Sequence, residues 1–168
     1  MNSAKYIRSQ HRFLAFSDSL VHREIAINVL GRNILIHGAG FVKFSVNEGV
    51  IEADCFGESE SLSKGVRRDD HTKILEGLGV ENPNTEVEHA KYVIVHGRVV
   101  VFSNEIEHAA VLKGSFFGNT DVESAGFVKF LPLQNGGIKV QVYGESISIG
   151  ASHRKEDAAL IAELFSIS

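Results

Sequence analysis

Two histidines, His22 and His108, stand 86 positions apart in stretches of sequence that resemble each other. The run AGFVKF at residues 39–44 recurs without change, at the same offset, as residues 125–130. An imidazole titrates near neutral pH and can accept a proton or a phosphoryl group, so a repeated histidine is a candidate catalytic group. We therefore predict that the chain holds two copies of one unit, with His22 and His108 as catalytic residues.

A second repeated set has the composition of an anion-binding site. Each copy contributes a lysine, a Gly-Glu-Ser turn with one further serine, and an arginine. These predicted ligand-binding residues are Lys5, Gly57, Glu58, Ser59, Ser61 and Arg67 in the first copy and Lys91, Gly144, Glu145, Ser146, Ser148 and Arg154 in the second. Glycine lets main-chain N–H groups point outward, serines add hydroxyl donors, and a helix N-terminus attracts an anion. A plain turn followed by a helix cap has the same pattern, and this second interpretation stays open.

The elements that must position these residues also repeat. Alternating and β-branched runs predict strands at residues 6–9, 13–16, 39–44 and 50–56 of the first copy. Apolar residues at helical spacing predict one helix between Ser17 and Gly31 and another over residues 69–78. The second copy has the same order, with strands at residues 92–95, 98–102, 125–130 and 138–143, a helix capped by Ser103 or Asn104 that ends at Gly114, and a last helix over residues 155–165.

This order predicts an α+β fold made of two tandem ββαββα repeats that are related by a pseudo-two-fold axis. The first repeat covers residues 1–78 and the second covers residues 91–168. Residues 79–90, which contain Asn-Pro-Asn and several glutamates, are predicted to be the linker between them.

Composition narrows the class of protein. The chain has 168 residues, of which 43% are hydrophobic, as is typical of a soluble globular protein. Its 17 basic and 21 acidic residues give a formal charge of −4 without a basic cluster, which argues against a nucleic-acid duplex as partner. No apolar run is long enough to span a membrane and no signal peptide is visible, so we expect a cytoplasmic protein that does not bind membranes. Homo-oligomer formation stays open.

Neither a metal nor another cofactor is predicted. The chain has eight histidines, but no metal-ligand spacing recurs in both copies. The single Cys55 aligns with Val142 in the second copy, which indicates a core-filling role rather than a catalytic one.

The residues also resemble those of a known family, the Janus and phosphohistidine phosphatases. The motifs that carry the resemblance are clearest in the second copy: Lys91-Tyr92, Glu107-His108-Ala109, Ala125-Gly126 and the run VYGES at residues 142–146. In that family the histidine is catalytic, and the lysine and the Tyr-Gly-x-Ser loop bind the phosphoryl group. The resemblance implies these roles for His108, Lys91, Gly144 and Ser146 and, by repetition, for His22, Lys5, Gly57 and Ser59.

Together these patterns predict a protein that binds a phosphorylated small molecule or a phosphoprotein, with hydrolysis by a histidine-dependent phosphatase mechanism as a further step. The alternative is a non-catalytic protein that binds or sequesters a nucleotide. Glu58 and Glu145 favour this alternative, because a carboxylate repels a phosphoryl group but can accept hydrogen bonds from ribose hydroxyls. A purely structural interaction module is the third hypothesis.

Overall fold

One continuous antiparallel sheet forms the centre of the protein. The computed structural model describes residues 3–80, 89–112 and 122–167. Eight of its strands form this sheet. Most of the predicted linker, residues 79–90, lies outside the described residues, and so does the predicted helix end at Gly114.

The first half of the chain supplies one side of this sheet. Within residues 3–80 the elements are β1 (Ala4–Ser9), β2 (Arg12–Phe16), α1 (His22–Ile25) with the π-helical turn Ala26–Leu30, β3 (Gly38–Asn47), β4 (Val50–Phe56), β5 (Glu58–Ser59), β6 (Lys64–Gly65) and α2 (Asp70–Gly77). Strands β5 and β6 form a separate two-stranded ribbon.

The second half supplies the other side, in the same element order. Within residues 89–112 and 122–167 the elements are β7 (Ala90–Val95), β8 (Arg98–Phe102), α3 (His108–Leu112), β9 (Ser124–Pro132), β10 (Ile138–Tyr143), β11 (Glu145–Ser146), β12 (Ala151–Ser152) and α4 (Asp157–Leu164). Strands β11 and β12 form the second ribbon, and the eight main strands follow the order β10-β9-β7-β8-β2-β1-β3-β4 in the central sheet.

The halves meet where β2 pairs with β8, and the hydrogen bonds beside this junction are reciprocal. The Ser17 hydroxyl accepts a hydrogen bond from the Val99 main-chain N–H at 2.9 Å, and the Ser103 hydroxyl accepts one from the Phe13 N–H at 2.9 Å. The N–H of each serine donates to the carbonyl oxygen of the same partner, at 3.1 and 2.9 Å. Each half therefore satisfies main-chain groups at the sheet edge of the other.

The sheet curls until its two sides almost meet. Phe44 of β3 and Phe130 of β9 are separated by four strands in the sheet order, yet their rings lie 5.1 Å apart. Both rings also pack on Phe165, at 4.4 and 5.4 Å. This aromatic contact fills the concave face, where α2 and α4 bury Ile74 and Ile161.

A second apolar cluster covers the convex face of the sheet. Ile7 of β1 and Val93 of β7 point to this side, while their neighbours Tyr6 and Tyr92 belong to the concave cluster. Residues of the α1 and α3 segments cover it, including Ile25. The central strands are thus buried on both faces, and β7 is buried along its whole length.

The predicted α+β fold of two ββαββα repeats is wrong. Of the described residues, 42% are in strands and 20% in helices, and the eight main strands form one nearly closed antiparallel sheet. A short ribbon also stands between the fourth strand and the last helix of each half. The physical reason is that the hydrogen-bonding edge of β2 is completed by β8, so the repeats extend one sheet instead of packing as separate layers.

The first helix of each half differs most from its prediction. Ser17 and Ser103 were predicted near the helix N-termini, but their hydroxyls bond across the junction and α1 begins only at His22. Val21 precedes α1 with extended backbone and no side-chain cap.

None of the helices among the described residues is both long enough and apolar enough to cross a bilayer.

Candidate functional site

The two repeated lysines occupy equivalent places on the sheet. Lys5 on β1 is paired with Phe41, and Lys91 on β7 is paired with Phe127. The Lys5 Nζ donates a hydrogen bond to the carbonyl oxygen of Leu20 at 2.8 Å, and the Lys91 Nζ donates to that of Ile106 at 3.2 Å. Each lysine therefore anchors the loop that leads to the repeated histidine.

The two histidines are the first residues of α1 and α3, and both are only 4% exposed. The Nε2 atom of His22 lies 2.9 Å from the carbonyl oxygen of Gly40, and that of His108 lies 3.0 Å from the oxygen of Gly126. A carbonyl oxygen can only accept, so Nε2 carries the proton in both rings.

Aromatic rings hold each imidazole on two sides. The His22 ring meets Phe16 and Phe41 edge-on, at centroid distances of 5.6 and 5.9 Å. His108 meets Phe102 and Phe127 in the same way, at 5.5 and 5.7 Å. Because both the ring contacts and the Nε2 bond repeat, the two imidazoles have equivalent orientations.

Burial lowers the pKa of His22, and the positive charge of Lys5 lowers it further, although the hydrogen bond to Gly40 acts in the opposite direction. The imidazole is therefore neutral at pH 7, since its ordinary value is 6.5. With the proton on Nε2, the lone pair is on Nδ1. This nitrogen is the one able to accept a proton or a phosphoryl group.

The Gly-Glu-Ser turns need glycine for two reasons. Gly57 and Gly144 have φ values of +73° and +74°, a region that favours glycine. A Cβ at either position would also approach the ring of Phe41 or Phe127, to 2.9 or 2.8 Å. Each turn is thus pressed against the phenylalanine that also contacts the histidine.

One serine of each turn is buried, whereas the second serine and the glutamate are exposed. Ser59 and Ser146 are buried, and Glu58 and Glu145 are exposed. The Ser59 and Ser61 hydroxyl oxygens lie 3.4 Å apart, and those of Ser146 and Ser148 lie 3.2 Å apart. Ser59 also accepts a hydrogen bond from the Leu62 N–H at 3.3 Å, so part of its role is to hold the turn.

A close backbone approach brings the turn to the histidine. A Cβ on Gly40 would lie 2.7 Å from the carbonyl oxygen of Phe56, and one on Gly126 would lie 2.7 Å from that of Tyr143. The same two glycines accept the histidine hydrogen bonds. The structure therefore brings lysine, histidine and turn together in each half. We call Lys5, His22 and residues 57–61 the first cluster, and Lys91, His108 and residues 144–148 the second cluster.

The side chains of the two repeated arginines have different surroundings. The Arg67 side chain is exposed, and no ion pair of it is found among the described residues. Arg154 instead forms a 3.0 Å ion pair with Asp157 and a 3.5 Å ion pair with Glu123. Only their main-chain N–H groups act alike, since they donate to Asp70 and Asp157, each at 2.8 Å.

Sequence reasoning missed a buried tyrosine–aspartate pair in each half. The Tyr6 hydroxyl donates to Asp70 at 2.5 Å, and the Tyr92 hydroxyl donates to Asp157 at 2.6 Å. Burial and the neighbouring carboxylate raise the pKa of both tyrosines. The repeat could have indicated this contact, because both members of the pair, the tyrosine and the aspartate, recur in the second copy. This pair fixes the start of the last helix to the first strand of its own half.

Cys55 packs beside this network in the first half only. Burial, together with the charge of Asp70, raises the pKa of its thiol to about 12. A thiol with this pKa stays protonated at neutral pH and is a poor nucleophile. Among the described residues, no group of three or more histidine, cysteine or carboxylate side chains is placed to hold a metal ion.

In both halves the geometry thus places a buried, ring-packed imidazole near a lysine and a serine-containing turn whose glutamate is exposed. Comparisons with known proteins add no assignment: the chain matches no family model, no curated protein and no solved structure.

Proposed function

We propose that the protein binds a small phosphorylated ligand and that the first and second clusters supply the binding groups. The observation that carries this proposal is the same in both halves. The histidine bonds the carbonyl oxygen of Gly40 or Gly126, the Gly-Glu-Ser turn packs against that glycine, and the lysine is paired with the phenylalanine that follows it. These residues come from three separate parts of each half, so their meeting depends on the fold and not on sequence proximity.

The chemistry of each cluster suits a phosphoryl group. An ammonium group carries three N–H donors, and one hydrogen bond from each lysine goes to a loop carbonyl. The remaining donors and the two serine hydroxyls of each turn can bind phosphoryl oxygens. The exposed Glu58 and Glu145 are suited to hydroxyl groups elsewhere on the ligand, such as those of a ribose.

The burial of the two imidazoles supports binding of the ligand without hydrolysis. Both rings are 4% exposed and both donate Nε2–H to the main chain, which is a structural use of the side chain. Hydrolysis is the second candidate, and a specific observation favours it. His22 is neutral and lies near the charge of Lys5, so its Nδ1 lone pair can accept a phosphoryl group from a ligand that reaches it.

A retention experiment separates these two functions. The purified protein is incubated with a panel of nucleotides and phosphohistidine peptides, and the free and bound small molecules are identified by mass spectrometry. Retention of an intact phosphorylated compound supports binding, and release of phosphate supports hydrolysis. A protein that retains and converts nothing from the panel contradicts the proposal.

Charge-removing variants locate the binding groups. Lys5→Gln with Ser59→Ala, and Lys91→Gln with Ser146→Ala, keep a donor for the loop carbonyls while they remove the ammonium charge and the turn hydroxyl. Each lost charge-assisted bond is worth about 1.5–3 kcal/mol, so we expect the Kd to rise about tenfold to a hundredfold.

The matched control is Lys139→Gln with Ser45→Ala, which replaces an exposed lysine and an exposed serine elsewhere on the sheet. Thermal melts verify that all variants fold. Equal affinities in the cluster variants and the control would reject the assignment of the clusters. If the wild-type protein hydrolyses its ligand, His108→Gln and His22→Gln identify which half acts, because glutamine keeps an N–H donor but cannot accept a phosphoryl group.

A further inference from the structure

A cavity of about 270 Å³ adjoins the first cluster at the side of α1. Arg23, Arg32 and Ser61 contribute the polar part of its lining, and Ile36 is among the apolar residues. Ser61 is the last serine of the repeated turn, and Arg23 directly follows His22. The cavity is therefore continuous with residues that already belong to the proposed binding site.

No carboxylate among the described residues forms an ion pair with the two arginines of this cavity. Arg23 and Arg32 are exposed, and neither guanidinium forms an ion pair with a carboxylate of residues 3–80, 89–112 or 122–167. Elsewhere Arg8 and Arg154 each pair with two or more carboxylates. Two unpaired guanidiniums at one concave site attract an anion, and their planar forks match the oxygens of a phosphate.

A hydrogen bond joins the cavity to the turn. The Arg23 main-chain N–H donates to the Ser61 hydroxyl oxygen at 3.2 Å, and this oxygen lies 3.4 Å from the hydroxyl of Ser59. Ser61 thus contacts the buried serine of the turn and lines the same cavity as the two arginines. An anion held by the arginines would lie next to the turn.

Neither arginine is repeated in the sequence of the second half. At the offset of 86 that relates the two copies, Arg23 corresponds to Ala109 and Arg32 corresponds to Gly118. The turn serines and the lysine recur, so the difference concerns the charge beside the turn and not the turn itself. The strongest anion site is therefore expected once per chain, in the first half.

We infer that the Arg23–Arg32 cavity binds the terminal phosphoryl or diphosphoryl group of a phosphate ester, with Ser61 as an additional hydroxyl ligand. This inference rests on the proposed function and assigns its phosphoryl end to one half. The volume supports a small group, since 270 Å³ is slightly below the roughly 300–1,000 Å³ of pockets that enclose a whole drug-sized ligand. The remainder of the ligand would lie outside the cavity, toward Glu58.

The test is calorimetric titration with inorganic pyrophosphate. The variant is Arg23→Ala with Arg32→Ala, and the matched control is Arg12→Ala with Arg68→Ala, which removes the same charge from two exposed arginines outside the cavity. We expect the Kd for pyrophosphate to rise about tenfold to a hundredfold in the cavity variant and to stay unchanged in the control. Because both cavity arginines are exposed, the variant is expected to fold, which circular dichroism and a thermal melt verify.

The outcomes distinguish this inference from the proposed function. Equal losses in variant and control, an unchanged Kd in the variant, or no pyrophosphate binding by the wild-type protein would each overturn the assignment to this cavity. The proposed function would still stand if a phosphorylated compound is retained and the Lys5/Ser59 or Lys91/Ser146 variant weakens that retention. Failure of both experiments would reject the two proposals together.

Discussion

The two halves bury the same carboxylate but neutralise it from different directions. Asp70 and Asp157 are both fully buried, and each accepts a hydrogen bond from the tyrosine of its own first strand. In the first half the guanidinium comes from Arg8 on β1, at 2.7 Å. In the second half it comes from Arg154, just before α4, at 3.0 Å. The position requires a counter-charge, and the fold accepts more than one source of it.

The neighbouring residues have changed together with the arginine. Arg8 lies opposite Gly38 in the β1–β3 pairing, whereas the equivalent pair in the second half is Ile94 and Ser124. A Cβ on Gly38 would lie 2.3 Å from an Asp70 carboxylate oxygen. The Asp70 carboxylate therefore occupies space that a side chain at position 38 would need. Ser124 fills that position in the second half, and its hydroxyl has no hydrogen-bond partner among the described residues.

The largest effect is expected from removing Arg8. Its side chain is 8% exposed, so Arg8→Met leaves a buried carboxylate without its guanidinium, and we expect a loss of about 3–5 kcal/mol in the free energy of unfolding. Arg154 is 32% exposed, so water can replace part of its role. Arg154→Met should cost less, about 1.5–3 kcal/mol. Urea denaturation of both variants measures the difference, and equal losses would show that the two sources of charge are energetically equivalent.

A smaller effect is expected from exchanging the residues opposite the arginine. Gly38→Ser places a side chain against the Asp70 carboxylate and should cost about 1–3 kcal/mol, the usual penalty of overpacking. Ser124→Ala is the matched change, since it removes a buried hydroxyl that has no partner in the described structure. We expect it to stabilise the protein by about 1 kcal/mol. A destabilised Ser124→Ala variant, or a Gly38→Ser variant as stable as the wild type, contradicts this comparison.

The smallest effect concerns the pH dependence of stability. Burial lowers the pKa of His22 in the folded state, so the unfolded chain takes up a proton near 6.5 that the folded protein does not bind. The free energy of unfolding should therefore fall as the pH drops through 6.5 and should recover above it. His22→Gln cannot titrate, and thermal melts between about pH 5.5 and 7.5 should show a weaker pH dependence for it. His71→Gln, on the exposed face of α2, controls for the loss of an imidazole, and a wild-type slope in His22→Gln would sink the assignment.

Repetition in the sequence led to the clustered residues but concealed the asymmetric ones. Lys5, His22 and the turn at residues 57–61 were found because each recurs, and the structure brings them together. The repeat does not predict Arg23 and Arg32, because their counterparts in the second copy are Ala109 and Gly118. The Tyr6–Asp70 pair did recur, but the distance of 64 positions between its members hid the contact.

Local sequence determined most of the individual strands and the last helix of each half. The predicted strands at residues 50–56 and 138–143 coincide with β4 and β10, because turn residues and alternating side chains are local signals. The predicted last helices, residues 69–78 and 155–165, differ from α2 and α4 by one or two residues at each end. Periodicity is encoded within each segment, so it needs no knowledge of the partner.

Only the tertiary structure decided that the two copies share one sheet. The pairing of Leu14 with Phe102 joins strands that are far apart in the chain, and a strand edge presents the same N–H and C=O groups to any partner. Beside this pairing, the hydroxyls of Ser17 and Ser103 bond across the junction instead of capping a helix, and α1 begins only at His22. The periodicity of side chains indicates which face of a strand is buried. Main-chain N–H and C=O groups are the same in nearly every residue, so they do not indicate which strand lies beside it.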